Sequence, residues 1–200
     1  MRFSPTSCDF PIKVPNSGQK LERLDYRTKE WDKHLVEFVK LKEKERGVPV
    51  IWLGDLNVAH LVCAPGFLEN ICVGHFNFES SILSYHSQAL DVWNEGAKHL
   101  AKSAGTTPQE RESFSLQLQE GYCDLFRELH PEAKGQYSFW STRAGNRQPN
   151  KGLRLDYFVG SKTLLVDDPS SKVIARDSYM DPDQLGSDHC PVILELEIKE

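Results

Sequence analysis

Residues 48–60 read VPVIWLGDLNVAH, and this stretch decides the class of fold. The apolar run from Val48 to Leu53 is typical of a strand that is buried on both faces, with Pro49 near its start. Gly54 to Asn57 then brings the small and polar residues of a turn. Because the segment before this run ends at Gly47, a residue that commonly stops helices, the sequence predicts a helix, a buried strand and a polar turn in succession.

The remainder of the chain alternates helical and extended patterns in the same way. A helix is predicted over about Leu21 to Arg46, whose apolar residues recur at roughly helical spacing: Leu24, Trp31, Leu35 and Phe38. A second helix is predicted to start at Thr107, with Pro108 in its first turn and Glu110 reaching back to the cap. Three more strands are predicted: Tyr137–Trp140, Leu153–Phe158 and Cys190–Ile198. The predicted fold class is therefore α/β (α+β).

Composition limits the classes of function. The 200 residues, 39% of them hydrophobic and 10% aromatic, suffice for one folded domain and exclude wholesale disorder. We expect no membrane partner, because no apolar run is long enough to span a bilayer and no signal-peptide pattern opens the chain. The five cysteines are odd in number and form no CxxC pair, which predicts a reduced, intracellular compartment.

Charge alone does not favour a nucleic-acid binder, because the formal net charge is −5. One local stretch is different. Between positions 143 and 154 there are four basic residues and no acidic one: Arg143, Arg147, Lys151 and Arg154. This stretch is either an ordinary solvated loop or a patch that contacts phosphates.

Polar side chains that could carry chemistry follow the predicted strands. Asp55 and Asn57 come directly after the first strand, either as a simple turn or as ligands for a water or a metal ion. Asp156 lies within an apolar strand, where it could pair with Arg154, face solvent or serve a site. The pair Asp188-His189 could join a metal ligand to a proton-transferring group, or form an ordinary surface loop.

Several blocks of sequence resemble one family. Residues 54–60 (GDLNVAH), 107–111 (TPQER) and 185–191 (LGSDHCP) resemble motifs of the exonuclease III and apurinic/apyrimidinic endonuclease family. Residues 14–18 (VPNSG), 24–27 (LDYR), 139–140 (FW) and 152–158 (GLRLDYF) follow that family in the same order. The resemblance covers most of the chain from position 14 to 198, and it belongs to the wider endonuclease/exonuclease/phosphatase superfamily.

The resemblance implies a Mg²⁺-dependent DNA-repair nuclease that cuts the phosphodiester 5′ to abasic sites in duplex DNA, with 3′-exonuclease activity as a variant. Mn²⁺ is an alternative metal. Asp55 would activate the attacking water, Asn57 would help to position it, His189 would contact the scissile phosphate, and Asp156 would orient the imidazole. The implied metal ligands are Asp55, Asn57, Asp188 and His189.

The resemblance also implies an interface with double-stranded DNA that carries abasic sites, and it leaves any protein partners unknown. Its candidate DNA-binding residues are Asn16, Phe139, Arg143, Arg147 and Leu153. Phe139 and Leu153 would line the pocket for the abasic sugar, where a tryptophan is expected at position 153. As a repair nuclease, the protein is expected to be intracellular and to act in the nucleus.

Some features depart from the family pattern. The family domain is a four-layer αββα sandwich. Residues 1–200 are expected to form only part of this domain, which would lack much of its N-terminal half, including a metal-binding glutamate. Lys13 stands where a catalytic tyrosine is expected. Residues 61–88 have no counterpart and contain four candidate zinc ligands at no standard spacing: Cys63, Cys72, His75 and His86. An insertion or a gene-model error would explain this segment.

Two alternatives to an active nuclease stay open. The first is a truncated, non-catalytic relative with at most residual DNA binding. The second is a phosphatase that acts on inositol lipids or sphingolipids, which the TPQER and GLRLDYF blocks disfavour.

Overall fold

The computed structural model describes residues 8–60, 91–94, 98–167 and 169–199. The strands of this described part are β1 (Cys8–Pro11), β2 (Val50–Asp55), β3 (Tyr122–Asp124), β4 (Asp156–Ser161), β5 (Val173–Met180) and β6 (Val192–Ile198). Its helices are α1 (Leu24–Tyr26), α2 (Asp32–Arg46), α3 (Pro108–Gln119) and α4 (Leu125–Leu129). A π-helical turn, Arg27–Trp31, joins α1 to α2, and two 3₁₀ turns lie at Leu100–Lys102 and Lys162–Leu165. The predicted insertion at 61–88, with its candidate zinc ligands, lies outside the described residues.

The strands form two sheets. The larger sheet has the order β1-β2-β4-β3, with β1 parallel to β2 and both other pairs antiparallel. β5 and β6 form a separate antiparallel pair. Helices therefore accompany a mixed sheet, and the predicted α/β class is confirmed.

Two apolar layers cover the faces of the larger sheet. Alternate side chains of β2 point to opposite faces: Val50 and Trp52 pack with Leu35, Val39 and Phe114 of the helices. On the other face Ile51 packs with residues of β3, α4 and the smaller sheet: Cys123, Leu125, Val173 and Ala175. The sheet is therefore buried on both sides, as the continuous apolar run of β2 predicts.

Both predicted helix boundaries are set by local chemistry. The helical segment runs from Leu24 to Arg46, three residues later than predicted at its start, and Gly47 ends it in the left-handed conformation with φ of 64°. Before α3, the Glu110 backbone N–H donates to Thr107 Oγ1 at 3.2 Å, and the Thr107 N–H donates to the Glu110 carboxylate at 3.1 Å. The predicted capping box is confirmed.

The predicted strand boundaries need correction. β2 begins after Pro49, which has no N–H to donate, and it continues to Asp55 rather than ending at Leu53. The predicted strand Tyr137–Trp140 is reduced to bridges at Phe139, because the Ser138 hydroxyl accepts the backbone N–H groups of Leu155 and Asp156 in place of a ladder. For the same reason the fourth strand begins at Asp156 rather than at position 153.

No helix within the described ranges is long and apolar enough to cross a membrane. The longest is α2, with 15 residues, many of them charged.

Candidate active site

The turn after β2 depends on a glycine. Gly54 adopts φ of 132°, a conformation that L-residues rarely take. A Cβ atom built there would lie 2.2 Å from the Ile12 carbonyl oxygen. Only glycine therefore lets the chain preceding Val14 run against β2, where the Ile12 and Val14 N–H groups donate to Leu53 O and Asp55 O.

Asp55 and Asn57 fold onto one another at this turn. The Asn57 backbone N–H donates to Asp55 Oδ1 at 3.0 Å, and its side-chain amide donates to Asp55 Oδ2 at 3.2 Å. That amide also donates to Val14 O at 2.9 Å, while Asn57 Oδ1 accepts from Asn16 Nδ2 at 3.0 Å. Asn57 is 8% exposed, and its backbone has a positive φ of 49°. These contacts fix the direction of the Asp55 carboxylate.

Sheet pairing brings two more groups to the same place. Asp156 is the cross-strand partner of Asp55, so the two carboxylates lie side by side. Asp156 Oδ2 is 2.7 Å from Nδ1 of His189, which directs Nε2, the other ring nitrogen, away from this carboxylate. A bridge between Phe139 and His189, and the Cys190 N–H donated to Ser138 O, hold the histidine backbone. The structure thus unites Asp55, Asn57, Asp156 and His189.

The alternative partner for Asp156 is excluded. Arg154 is fully buried and pairs instead with Asp91 at 2.8 Å and with Asp124 at 2.5 Å. Arg127 joins this group through Asp91, also at 2.8 Å. The Asp156 carboxylate is therefore left for the site rather than for structural pairing with Arg154.

The local electrostatics favour a basic carboxylate and a protonated imidazole. Burial raises the pKa of Asp55 above its ordinary value, and the neighbouring charge of Asp156 raises it further, against the hydrogen bond from Asn57. The hydrogen bond to Asp156 raises the pKa of His189, while burial acts in the opposite direction. Lys13 is exposed, and its charge acts on Asp55 to lower that pKa.

The backbone of the Asp55–Asn57 turn is bound on its buried side by Arg27, an arginine that the sequence did not single out. Arg27 is 1% exposed and donates to Leu56 O at 2.6 Å and to Asn57 O at 2.8 Å. Its charge is balanced by Asp32 at 3.6 Å and Glu110 at 3.8 Å. The signal was available, because position 27 falls three residues after Leu24 on the apolar stripe of the helix, where an arginine needs a buried partner.

An apolar wall adjoins the histidine. The Phe139 ring lies 5.1 Å from the His189 ring, measured between centroids. Phe139 and Leu153 are partly buried against a small cluster of apolar residues: Ala59, Val92 and Leu155. Of the two residues predicted to line a sugar pocket, Phe139 is therefore a neighbour of the predicted catalytic histidine, and Leu153 pairs with Phe139.

The predicted DNA-contacting residues are placed differently from one another. Arg143 is exposed, and Asn16 is exposed beside the Asp55–Asn57 turn. Arg147 instead donates to the carbonyl oxygens of a nearby loop. Arg154 is buried in its ion-pair cluster, so it is removed from the basic patch.

The described residues do not complete a metal site. Among them, no three His, Cys, Asp or Glu side chains lie close enough together to hold a metal ion. The Asn57 oxygen already accepts a hydrogen bond, and Asp188 is exposed on the loop before His189. Asp55 and Asp188 offer the hard oxygen donors that Mg²⁺ requires, but too few of them. The four-residue ligand set stays a prediction.

Comparison with known proteins identifies the family. The profile of the Endonuclease/Exonuclease/phosphatase family matches residues 7–189, and the chain belongs to this family.

Relatives with similar sequences are named as DNA nucleases. The chain is 37% identical over 187 residues to an exodeoxyribonuclease of Bacillus subtilis, and the matched region covers 94% of this chain and 59% of that protein. It is 41% identical over 181 residues to a DNA-(apurinic or apyrimidinic site) endonuclease of Dictyostelium discoideum, covering 90% of this chain and 40% of the relative. The chain therefore spans about half the length of the relatives it matches.

Solved structures agree on the fold. An AP endonuclease from Leishmania major superposes with a TM-score of 0.69 at 32% identity, covering 94% of this chain and 49% of that one. An AP endonuclease from Archaeoglobus fulgidus gives a TM-score of 0.66 and covers 96% and 62%, but at 20% identity it supports the fold alone.

Proposed function

We propose that this protein is a Mg²⁺-dependent DNA-repair nuclease that hydrolyses the phosphodiester 5′ to abasic sites in duplex DNA, with 3′-exonuclease activity as a variant. The observation that carries the proposal is the convergence of Asp55, Asp156 and His189 where the paired strands β2 and β4 meet the turn after β2. The nuclease relatives support it. The domain would be part of a four-layer αββα sandwich, and the enzyme would act in the nucleus.

The chemistry follows from the arrangement of these side chains. Asp55 would accept the proton of the attacking water, a role that its raised pKa favours because a stronger base removes a proton more readily. Asn57 fixes that carboxylate through two hydrogen bonds. His189, held by Asp156, would place its other nitrogen against the phosphate, where an imidazolium stabilises the charge that develops.

Mg²⁺, or Mn²⁺, belongs to this proposal as the cofactor. A bound divalent cation would neutralise charge on the phosphate oxygens. Because the described residues offer too few donors, the expected affinity of this chain for the metal is weak. Calorimetric titration of the wild type and Asp188→Ala tests the assignment, since equal binding by both proteins would remove Asp188 from the site.

Activity is tested by strand scission. An end-labelled duplex with one abasic site is incubated with the protein and Mg²⁺, with EDTA as the control. Scission 5′ to the abasic site should fall at least about a hundredfold in Asp55→Asn, as for loss of a positioned general base. The matched control is Asp25→Asn, whose carboxylate is 81% exposed in a surface pair with Lys29, and which should cut at the wild-type rate.

A non-catalytic relative is the second candidate function. It is favoured by the shortage of metal donors among the described residues. DNA binding without scission in the same assay would support it. Absence of scission with no detectable binding would also be consistent with it, whereas EDTA-sensitive scission would contradict it.

A further inference from the structure

Arg147 uses most of its N–H donors in hydrogen bonds to one loop, residues 182–187. Its guanidinium donates to Pro182 O at 2.8 Å, Gln184 O at 2.6 Å and Ser187 O at 2.8 Å. An arginine has five N–H groups, and three are used here. The Nε atom is shielded from solvent and has no hydrogen-bond partner among the described residues. At most one N–H remains for any other group.

The guanidinium is also held from the side of the protein body. Its central carbon lies 4.8 Å from the ring centroid of Trp140, a cation–π contact. Trp140 is 2% exposed; its backbone N–H donates to Asp188 O at 2.9 Å, and its indole N–H donates to Asn150 Oδ1 at 3.0 Å. Arg147 thus connects a fixed aromatic side chain to the loop that leads into His189.

The loop has little apolar support. Residues of the loop and of the body together line a cavity of about 660 Å³, among them Tyr137, Trp140, Arg147, Met180 and Leu185. Leu185, the largest apolar side chain of the loop, is 81% exposed. Apolar packing cannot fix residues 182–187, and the loop's own hydrogen bonds are local: the Asp183 and Gln184 N–H groups donate to Asp181 Oδ1 at 3.3 Å and to Asp181 O at 3.4 Å. Among the described residues, the three hydrogen bonds from Arg147 are those that join this loop to a distant part of the chain.

We propose that Arg147 is a positioning residue that fixes the loop at residues 182–187, and through it Asp188, rather than a residue that binds DNA phosphate. The proposal rests on the proposed nuclease function for its kinetic consequence only. Arg143, four residues earlier and exposed, is a residue of this stretch suited to phosphate.

Arg147→Lys separates the two roles. Lysine keeps the charge that a phosphate contact needs, but its compact ammonium cannot span three carbonyl groups with a planar fork. Hydrogen exchange measured by mass spectrometry needs no DNA. Arg147→Lys and Arg147→Ala should both raise the exchange rate of amides between positions 182 and 189 at least tenfold, and Arg143→Ala should leave it unchanged. Wild-type exchange in Arg147→Lys overturns the proposal.

DNA binding and turnover supply the second readout. Loss of one phosphate contact makes the negative slope of log K against log salt shallower by about 0.9. That change is expected for Arg143→Ala and not for Arg147→Ala or Arg147→Lys, which should instead lose at least tenfold in kcat with little change in KM. A reduced salt slope in Arg147→Ala that lysine restores would overturn the proposal. If the wild type neither binds nor cuts DNA, the nuclease function fails, and the exchange result alone decides the role of Arg147.

Discussion

Replacing Arg27 by methionine should destabilise the protein strongly. The substitution removes the two hydrogen bonds that a buried cation donates to Leu56 O and Asn57 O. It also leaves the carboxylates of Asp32 and Glu110, 2% and 0% exposed, without that cation. Hydrogen bonds from charged donors contribute about 1.5–3 kcal/mol each, and removing one partner of a buried ion pair costs about 3–5 kcal/mol. Because these terms overlap, the expected loss in the free energy of unfolding is about 3–5 kcal/mol.

The loss in Arg27→Met should depend on pH. Burial already raises the pKa of Asp32, and the charge of Arg27 counteracts this. Without Arg27 the pKa rises further, so the folded variant binds a proton more readily than the unfolded chain. The destabilisation should therefore shrink as pH falls through the folded-state pKa of Asp32 and reach its full size at neutral pH.

Urea denaturation, followed by circular dichroism at several pH values, measures this effect. Arg46→Met is the matched control, because Arg46 is exposed in the last turn of α2 and its charge contributes below about 1 kcal/mol there. A loss below about 1 kcal/mol in Arg27→Met, or one equal to the control, would refute the view that Arg27 supports the turn.

Three further outcomes are expected. Asp156→Asn should lower the pKa of His189, because the charge-assisted hydrogen bond is lost; NMR of the ring protons measures this pKa. In the wild type, the pair contributes its full stabilisation below the ordinary histidine pKa. That contribution is lost as the pH rises through the pKa of His189 in the folded protein. An unchanged pKa would contradict the pairing. Burial raises the pKa of Cys123 to about 12 and that of Cys190 to about 11, so at pH 8 both thiols should resist iodoacetamide until urea unfolds the protein, as peptide mass spectrometry can verify. Thr107→Ala should lower the free energy of unfolding by about 1 kcal/mol through loss of the cap, and Thr107→Ser should restore most of it; equal stability of the two variants would argue against the capping box.

The site was predictable where chain-local chemistry determines it. The Asp55–Asn57 turn follows from a buried apolar run that is succeeded by a glycine, and the capping box at Thr107 follows from its own four residues. The pairing of Asp156 with His189 is different, because it joins positions 33 residues apart in sequence. Only the resemblance to a known family indicated that contact before the structure showed it.

Other features depend on contacts that no local pattern encodes. Strand β5 went unpredicted, since its apolar residues are interrupted by Arg176 and Asp177, at the register shift where it pairs with β6. The sequence of the basic stretch from 143 to 154 predicts either a solvated loop or a phosphate-contacting patch, whereas Arg154 has buried carboxylate partners and Arg147 has carbonyl partners. A charge pattern does not specify which cations find such partners, because those partners come from distant parts of the chain.

The contacts at His60 and Asp91 bear on how strongly the candidate site depends on the number of residues between these two positions. The His60 N–H donates to the Tyr157 hydroxyl at 3.2 Å, and its ring bonds Ser115 at 2.7 Å. Asp91 is 0% exposed and forms ion pairs with Arg127 and Arg154. Both anchors are thus held by contacts among the described residues. Loop-closure entropy grows only slowly with the length of chain between two fixed points, by about 0.6 kcal/mol for each doubling. The contacts at the two anchors should accordingly matter more for the candidate site than the number of residues between them.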